Sequence, residues 1–387
     1  MNLICKVYSS YDDFKNLKNQ WPESECHYFE NNFEYLSMLH KENVFIGEPL
    51  TIQLSNSDGK NIIINGNIED VNYSPKIAYF TLRLIRFKKR CFRVRPYAIL
   101  GDINDYKTAG DIETALNTYC RKNKVDYISF SLLSRESIIA KHILMLKNPL
   151  KKDLTPLIED HFLLEIPESL EDYFKKKDAK SRYNLKRIMK QVDNTYKDNT
   201  SIKIFTAPED VEVFCEHAEF IAQKSHLRPL NAGFRSTQNM IKKKIILANL
   251  GFFRSYILYL DGKPSAFING ILYKRNFLTE HIGFDIQYEK LSVGSYLLLQ
   301  VIEDIASNKY ADKIDYSFGS DSYKKRFSSL CNEDIRIKLF IPKFSNVLFM
   351  INIAIFTGTN NFIRTILKKM GTYDKVRKTV RKILRTS

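Results

Sequence analysis

The sequence predicts an α/β (α+β) chain of two similar modules in tandem, followed by a basic amphipathic tail. Three observations carry this. A chain of 387 residues is too long for one ordinary core, so two domains are the default. Strand-like and helical runs come twice in one order: strand, two helices, three strands, helix, strand, helix, strand. After Pro342 the composition changes to an apolar run and then to lysine and arginine.

The first module, residues 1–167, opens with a short strand at Lys6 to Tyr8 and helical runs at Ser10 to Lys18 and Phe29 to His40. Leu50 to Leu54, Asn61 to Ile68 and Lys76 to Ile85 read as strands, the first two joined by a loop containing Asp58-Gly59. A helix at Asp111 to Lys122, a strand at Tyr127 to Ser131 and a helix at Ser134 to Leu146 follow, with Phe162 to Ile166 as the returning strand.

The second module, residues 168–342, begins with a basic helix over Leu170 to Val192. Ser201 to Phe205 is its first strand. Helices cover Ala207 to Lys224 and Thr237 to Asn249, the former opened by Pro208-Glu209-Asp210, where acidic residues suit the helix dipole. Strands at Phe253 to Leu260 and Pro264 to Tyr273 are joined by Asp261-Gly262-Lys263, a hairpin signal. A strand at Asn276 to Asp285 leads through Ser292-Val293-Gly294 into an apolar helix. Lys313 to Phe318 is a strand, and Asp334 to Ile341 is expected to close the sheet.

Hydrophobic content of 44% and charged content of 27% are those of a folded protein. The opening Met1-to-Val7 run is too short for a cleavable leader, and no apolar run of spanning length is read from the sequence. Six scattered cysteines lack C-x-x-C spacing and the seven histidines form no H-E-x-x-H, so no metal site or disulfide framework is expected. Free thiols in a reducing cytosol are the better reading.

The net charge of +16 is concentrated. Lys175 to Lys190 holds eight basic residues against Asp178, and Arg364 to Ser387 holds nine against Asp374. The first cluster is either a solvated face or a dock for phosphate, tRNA or lipid headgroups. In the tail 343–387, Val376, Val380, Ile383 and Leu384 share one helical face with lysine and arginine opposite, which predicts an anchor on an anionic membrane surface. Aromatics do not interleave with these basic residues as nucleic-acid stacking would require.

The turn at Ser292, Val293, Gly294 and Ser295 is a candidate phosphate site, because a helix N-terminus offers unpaired N–H groups and a positive dipole end. A plain N-cap serine is the simpler alternative. Asp315 lies toward the carboxyl end of its strand, where open α/β sheets bind ligands, or makes a salt bridge. Glu280 and His281 on the preceding strand are candidate bases for deprotonating an amine, or strand residues with no such task. Asp285 is a third candidate, and Lys324 a candidate for steadying developing negative charge.

Asp285 and Tyr288, then Ser292 and Gly294, then Asp315-Tyr316-Ser317-Phe318-Gly319-Ser320-Asp321-Ser322-Tyr323-Lys324 resemble the acyl-donor half of the GNAT acyltransferase superfamily. The last string is similar to the Asp-phi-x-x-Gly-x-x-x-Tyr/Phe-Lys pattern of the branch holding cellulose-biosynthesis-type acetyltransferases and Fem aminoacyl transferases. The resemblance implies two tandem GNAT-like modules, each a mixed, mostly antiparallel sheet flanked by helices, with chemistry in the second. It also implies acyl-CoA as donor, no metal, and an aromatic-lysine pair (Tyr323, Lys324) at the transfer site. Substrate contacts would come from Tyr288 and from Arg182 and Lys186 on the basic helix. The usual pyrophosphate loop, Gln/Arg-x-x-Gly-x-Gly/Ala, is met only at Gly294; Leu291 and Tyr296 stand at its first and last positions.

The expected activity is acyl transfer from acyl-CoA to an amine or hydroxyl acceptor, small or lipid-linked, in surface-polysaccharide or envelope assembly. The expected location is the cytoplasm, peripheral to the inner face of the plasma membrane. Fem-like transfer from aminoacyl-tRNA to a peptidoglycan precursor stays open. So does a non-catalytic adaptor on membrane or nucleic acid.

Overall fold

Alternating and helical periodicities resolve into two compact units in the computed structural model, which describes residues 4–55, 59–77, 80–81, 84–230, 232–319 and 321–372. One unit runs to Glu159 and resumes at Glu333; the other is Asp160–Asn332.

In the first unit β1 (Ile4–Tyr8) leads to α1 (Tyr11–Phe14) and α2 (Phe33–Lys41). Then come β2 (Glu48–Ser55), β3 (Asn61–Tyr73), a small hairpin of β4 (Lys76–Ile77) and β5 (Phe80–Thr81), and the long β6 (Phe87–Leu100). α3 (Tyr106–Lys122), β7 (Tyr127–Ser134) and α4 (Ile138–Leu144) complete this run. The second unit starts with β8 (Leu157–Glu165), α5 (Leu170–Lys175) and α6 (Ala179–Tyr196). It continues through β9 (Thr200–Phe205), α7 (Asp210–Gln223), α8 (Gln238–Asn249), β10 (Ser255–Leu260), β11 (Lys263–Tyr273) and β12 (Asn276–Phe284). α9 (Val293–Asn308), β13 (Lys313–Phe318) and α10 (Ser322–Phe327) follow, and the chain then returns as β14 (Leu330–Phe340) and α11 (Phe344–Lys369).

Both units are α/β, and their sheets share one topology. The first is ordered β1-β2-β3-β6-β7-β14 and the second β9-β10-β11-β12-β13-β8. In each, only the fourth and fifth strands are parallel: Cys91 to Val94 beside Tyr127 to Phe130, and Asn276 to Leu278 beside Lys313 to Asp315. The remaining pairs are antiparallel. The sixth strands correct the sequence-based expectation. Phe162 to Ile166, expected to close the first sheet, fall at the end of β8, which pairs with β13 of the second, Asp315 opposite Leu163. Asp334 to Ile341, expected to close the second, fall on β14, which pairs with β7 of the first, Leu339 opposite Ile128. The expected boundaries at 167 and 342 lie just beyond these strands. Alternating apolar residues report that a strand has a buried face, not which neighbour it pairs with.

Three further differences have local causes. β6 was not read as a strand, because Lys88, Lys89, Arg90, Arg93 and Arg95 mask the alternation of Cys91, Phe92 and Val94. The basic helix at 170–192 is two helices: Ser169 caps α5 by accepting from Asp172 N, and Asp178 caps α6 by accepting from Ser181 N. The apolar run after Pro342 is longer than expected, since Phe344–Leu367 is long and apolar enough, by length and composition, to cross a membrane. The amphipathic segment expected at 375–385 lies outside the described residues.

In the second unit α6 lays Leu185, Ile188 and Val192 against Leu297, Val301 and Ile305 of α9 and against Leu258 and Ile268 of the sheet. Each such side chain contributes about 1.5–3 kcal/mol on burial. α7 lies against the same sheet through Phe214, edge-on to Phe205, Phe253 and Phe267. In the first unit the face of β1, β2 and α3 carries a cleft of about 830 Å³ walled by Cys5, Val7, Arg90, Thr118 and Tyr119. In the second unit α6 packs on α9.

Candidate functional site

Two parallel strands that stop pairing while both continue leave a gap at their carboxyl ends. The β12–β13 ladder ends at Leu278 opposite Asp315, yet β12 runs on to Phe284 and β13 to Phe318. Two irregularities shape the legs. On β12, Asn269 of β11 faces His281 and Gly270 faces Thr279, so Glu280 is an extra residue and the strand bends. On β13, Asp315 faces Leu163 and Phe318 faces His161, so Tyr316 and Ser317 together oppose one residue. Ser317 sits at φ 60°, in the left-handed region that non-glycine residues avoid. Such strain persists where the surrounding structure fixes it, and it clusters at sites with a task.

Asp315 stands at the apex of the gap, 4% exposed. Its Oδ1 lies 2.8 Å from His161 Nε2 and accepts a 2.6 Å hydrogen bond from Ser317 N–H. Thr279 Oγ1 donates to the Asp315 carbonyl at 3.1 Å. Lys324 stands at the far end of the β13 leg, buried, its Nζ donating to the Phe318 carbonyl at 2.5 Å. Gly319, at φ 112°, lies under that ammonium; a Cβ there would come within 3.7 Å of it. Lys177, between α5 and α6, donates to the carbonyls of Arg326 and Ser328 at 2.9 and 3.0 Å and so ties down the end of α10.

The β12 leg ends at the turn into α9. Asp285 is buried there and occupied. It caps the turn by accepting from Gln287 N at 3.1 Å, accepts from Gln287 Nε2 at 3.0 Å, and is 3.1 Å from Lys224 Nζ. Ser292 adopts φ 55° and its side chain makes no cap bond, so the plain serine cap considered from the sequence is not what opens the helix. Its carbonyl instead accepts from Ser295 and Tyr296. Val293 and Gly294 occupy the first turn, where N–H groups have no intrahelical acceptor. Gly294 is pressed against the sheet: a Cβ would meet Phe284 at 3.3 Å. Tyr288 packs edge-on to Tyr196 at 6.4 Å, and Tyr323 edge-on to Tyr316 at 6.4 Å.

Glu280 and His281 converge on Asn269, because the bulge turns both toward it. Asn269 Nδ2 donates to Glu280 Oε2 at 2.5 Å and lies 3.3 Å from His281 Nδ1. Lys244 of α8, buried, donates to Asn269 Oδ1 at 2.7 Å and to Glu280 Oε2 at 3.1 Å. Burial works to raise the Glu280 carboxyl, but Lys244 and His281 outweigh it and hold the pKa at about 2. Burial lowers the His281 pKa, with Glu280 opposing. A carboxylate so stabilised is a fixed negative charge rather than a base for neutral pH.

Among the candidates, Gly294 thus marks the end of one leg, Lys324 the end of the other, and Asp315 the apex. Glu280 and His281 lie on the β12 leg. Arg182 and Lys186 are on α6, where Lys186 pairs with Glu171 at 2.9 Å and lies over Phe174. His161, Lys244 and Asn269 were missed. Lys244 left a signal, a lysine in register with buried Leu247 and Ala248 at i, i+3 and i+4. His161 left none, since it meets Asp315 only through the pairing of β8.

A sheet split between its fourth and fifth strands, with a helix N-terminus closing one leg, defines this α/β unit. Residues 179–325 match the acetyltransferase (GNAT) domain family. No curated protein matches the chain by sequence. Among solved structures, FemX aligns with a TM-score of 0.50 at 8% identity over 80% of this chain and 92% of its own. L-PGS from Bacillus licheniformis aligns at 0.49 and 11% identity over 88% and 96%. A tandem GNAT protein from the clavulanic acid biosynthesis pathway aligns at 0.46 and 9% identity over 87% and 98%.

Proposed function

We propose that the chain transfers an acyl group from acyl-CoA to an amine or hydroxyl acceptor in cell-envelope or surface-polysaccharide assembly. The observation that carries this reading is the split at Leu278 and Asp315, with the His161–Asp315 pair at its apex. The donor's pantetheine arm enters the split, and its pyrophosphate meets the N–H groups of Val293 and Gly294. The turn fits an anion there, since both residues lie in the unbonded first turn of a 16-residue helix.

In this reading Asp315 orients the His161 imidazole through Nε2, and His161 is the general base for the acceptor's proton. The acceptor nitrogen or oxygen bonds to the thioester carbonyl carbon, the C–S bond breaks, and the sulfur departs as thiolate to be protonated. Lys324 contributes positive charge near the developing oxyanion. Glu280, kept ionised by Lys244, attracts a cationic acceptor.

The test is purified full-length protein with acetyl-CoA and a panel of amines and amino sugars. Acetyl-CoA is expected to raise Tm. Asp315→Asn and His161→Gln are expected to lower kcat/KM by about 10²–10⁴ while retaining that Tm shift. Protection by aminoacyl-tRNA but not acetyl-CoA would move the assignment to Fem-like transfer, which the FemX-like fold and the basic face of α6 favour. Absence of turnover with either donor would leave the adaptor reading.

A further inference from the structure

α11 carries two opposite faces of different destiny. One packs on the first unit. Phe349 and Met350 are buried beside Cys91, Tyr127 and Phe340. Asn346 donates to the carbonyls of Asp126 and Ile341 at 2.8 Å and accepts from Lys89 at 2.7 Å. Farther along, Asn360 donates to the Lys76 carbonyl at 2.8 Å. The other face is an apolar stripe in solvent: Phe344, Leu348, Ile351, Ile355, Phe362 and Ile366, exposed by 80, 48, 42, 57, 66 and 39%. Their spacing puts all six within an arc of about 60° on a helix turning 100° per residue. A contiguous exposed stripe of this kind marks a contact surface.

Charge decides what covers it. Phe344 through Ile363 holds twenty residues without a charge. From Ile335 to Ser387 there are twelve basic residues and one acidic residue, Asp374. A second copy seated on the stripe would bring one strongly basic segment against another, with hardly a carboxylate to offset it. Anionic phospholipid headgroups complement the same segment, and the attraction grows with each basic side chain near the surface.

We propose that α11 is a membrane-surface helix, lying in the plane of an anionic bilayer with Phe344, Leu348, Ile351, Ile355, Phe362 and Ile366 in the headgroup–acyl boundary. The docked face rules out a lone spanning helix in this state, because Asn346, Phe349 and Met350 are committed to the folded first unit. The first unit therefore rides on the water side of the helix, and a lipid-linked acceptor would be presented in the same plane.

The experiment is co-sedimentation of the full chain with phosphatidylglycerol vesicles and with phosphatidylcholine vesicles, followed by an alkaline carbonate wash. Binding to the anionic vesicles, at least about tenfold weaker binding to the neutral ones, and release by the wash are expected. Ile355→Glu with Phe362→Glu, both exposed, should cut vesicle binding at least about tenfold and leave Tm and circular dichroism unchanged. The proposal is overturned if the double variant binds as the parent does, or if the parent resists the wash, which marks a spanning helix. It is equally overturned if the parent ignores vesicles but forms a dimer that the double variant abolishes. The readout uses no acyl donor, so it stands or falls apart from the transfer reaction.

Discussion

Single side chains set both the chemistry and the pH response. His161 and Asp315 meet because the β13 bulge lets two residues face one, so the pair is a product of strand register. His40 offers a clean pH test. It stacks on Phe14 at 4.5 Å and meets Phe45 edge-on at 4.6 Å. Burial, with Arg95 adding repulsion, lowers its pKa from 6.5 to about 4. The unfolded chain therefore takes up a proton at this position near pH 6.5, while the folded chain resists until about 4. Stability should be flat above that window and fall as pH drops through it. His40→Phe should flatten the Tm-against-pH curve there; an unchanged slope would assign the effect elsewhere. Glu280 acts at a lower range. Its pKa falls from 4.5 to about 2, so its contribution is present above pH 4.5 and fades toward 2. Replacing Lys244 with methionine should raise that window.

At the scale of elements, caps and cross-links decide where segments stop. The sequence shows a basic helix from Leu170 to Val192, but Asp178 restarts the backbone and Lys177 leaves the helix to hold the end of α10. Lys177→Met should lose about 1–2 kcal/mol in denaturant unfolding, as two carbonyls lose a charged donor. In the transferase reading it should also lower kcat more than it raises KM, because α10 carries Lys324. A second hub ties α9 to the sheet: Asp304 accepts from Arg254 at 2.8 Å and from Tyr256 at 2.7 Å, and from Tyr310. Asp304→Asn should cost about 1–3 kcal/mol by the same measurement. β6 teaches the converse: a strand with five basic residues hides its apolar alternation, and only its two neighbours in the sheet reveal it.

For the whole molecule, the exchange of sixth strands makes the first unit discontinuous. Its sheet lacks a member until residues 333–340 arrive, whereas Asp160–Asn332 is continuous. A fragment 160–332 is expected to give a cooperative melt. A fragment 1–159 is expected to aggregate, since β7 would present an unpaired edge; a soluble, cooperatively folding 1–159 would refute this. The sequence by itself determined the repeated order of elements, the GNAT-like strings around Gly294 and Asp315, and the segregation of charge, because these follow from local periodicity and composition. Tertiary structure alone decided that β8 and β14 trade places, that His161 reaches Asp315, and that Lys244 pairs with Glu280. Each of these joins residues far apart in the chain, and pairing across such distances is fixed by the sheet as a whole and not by any segment of it.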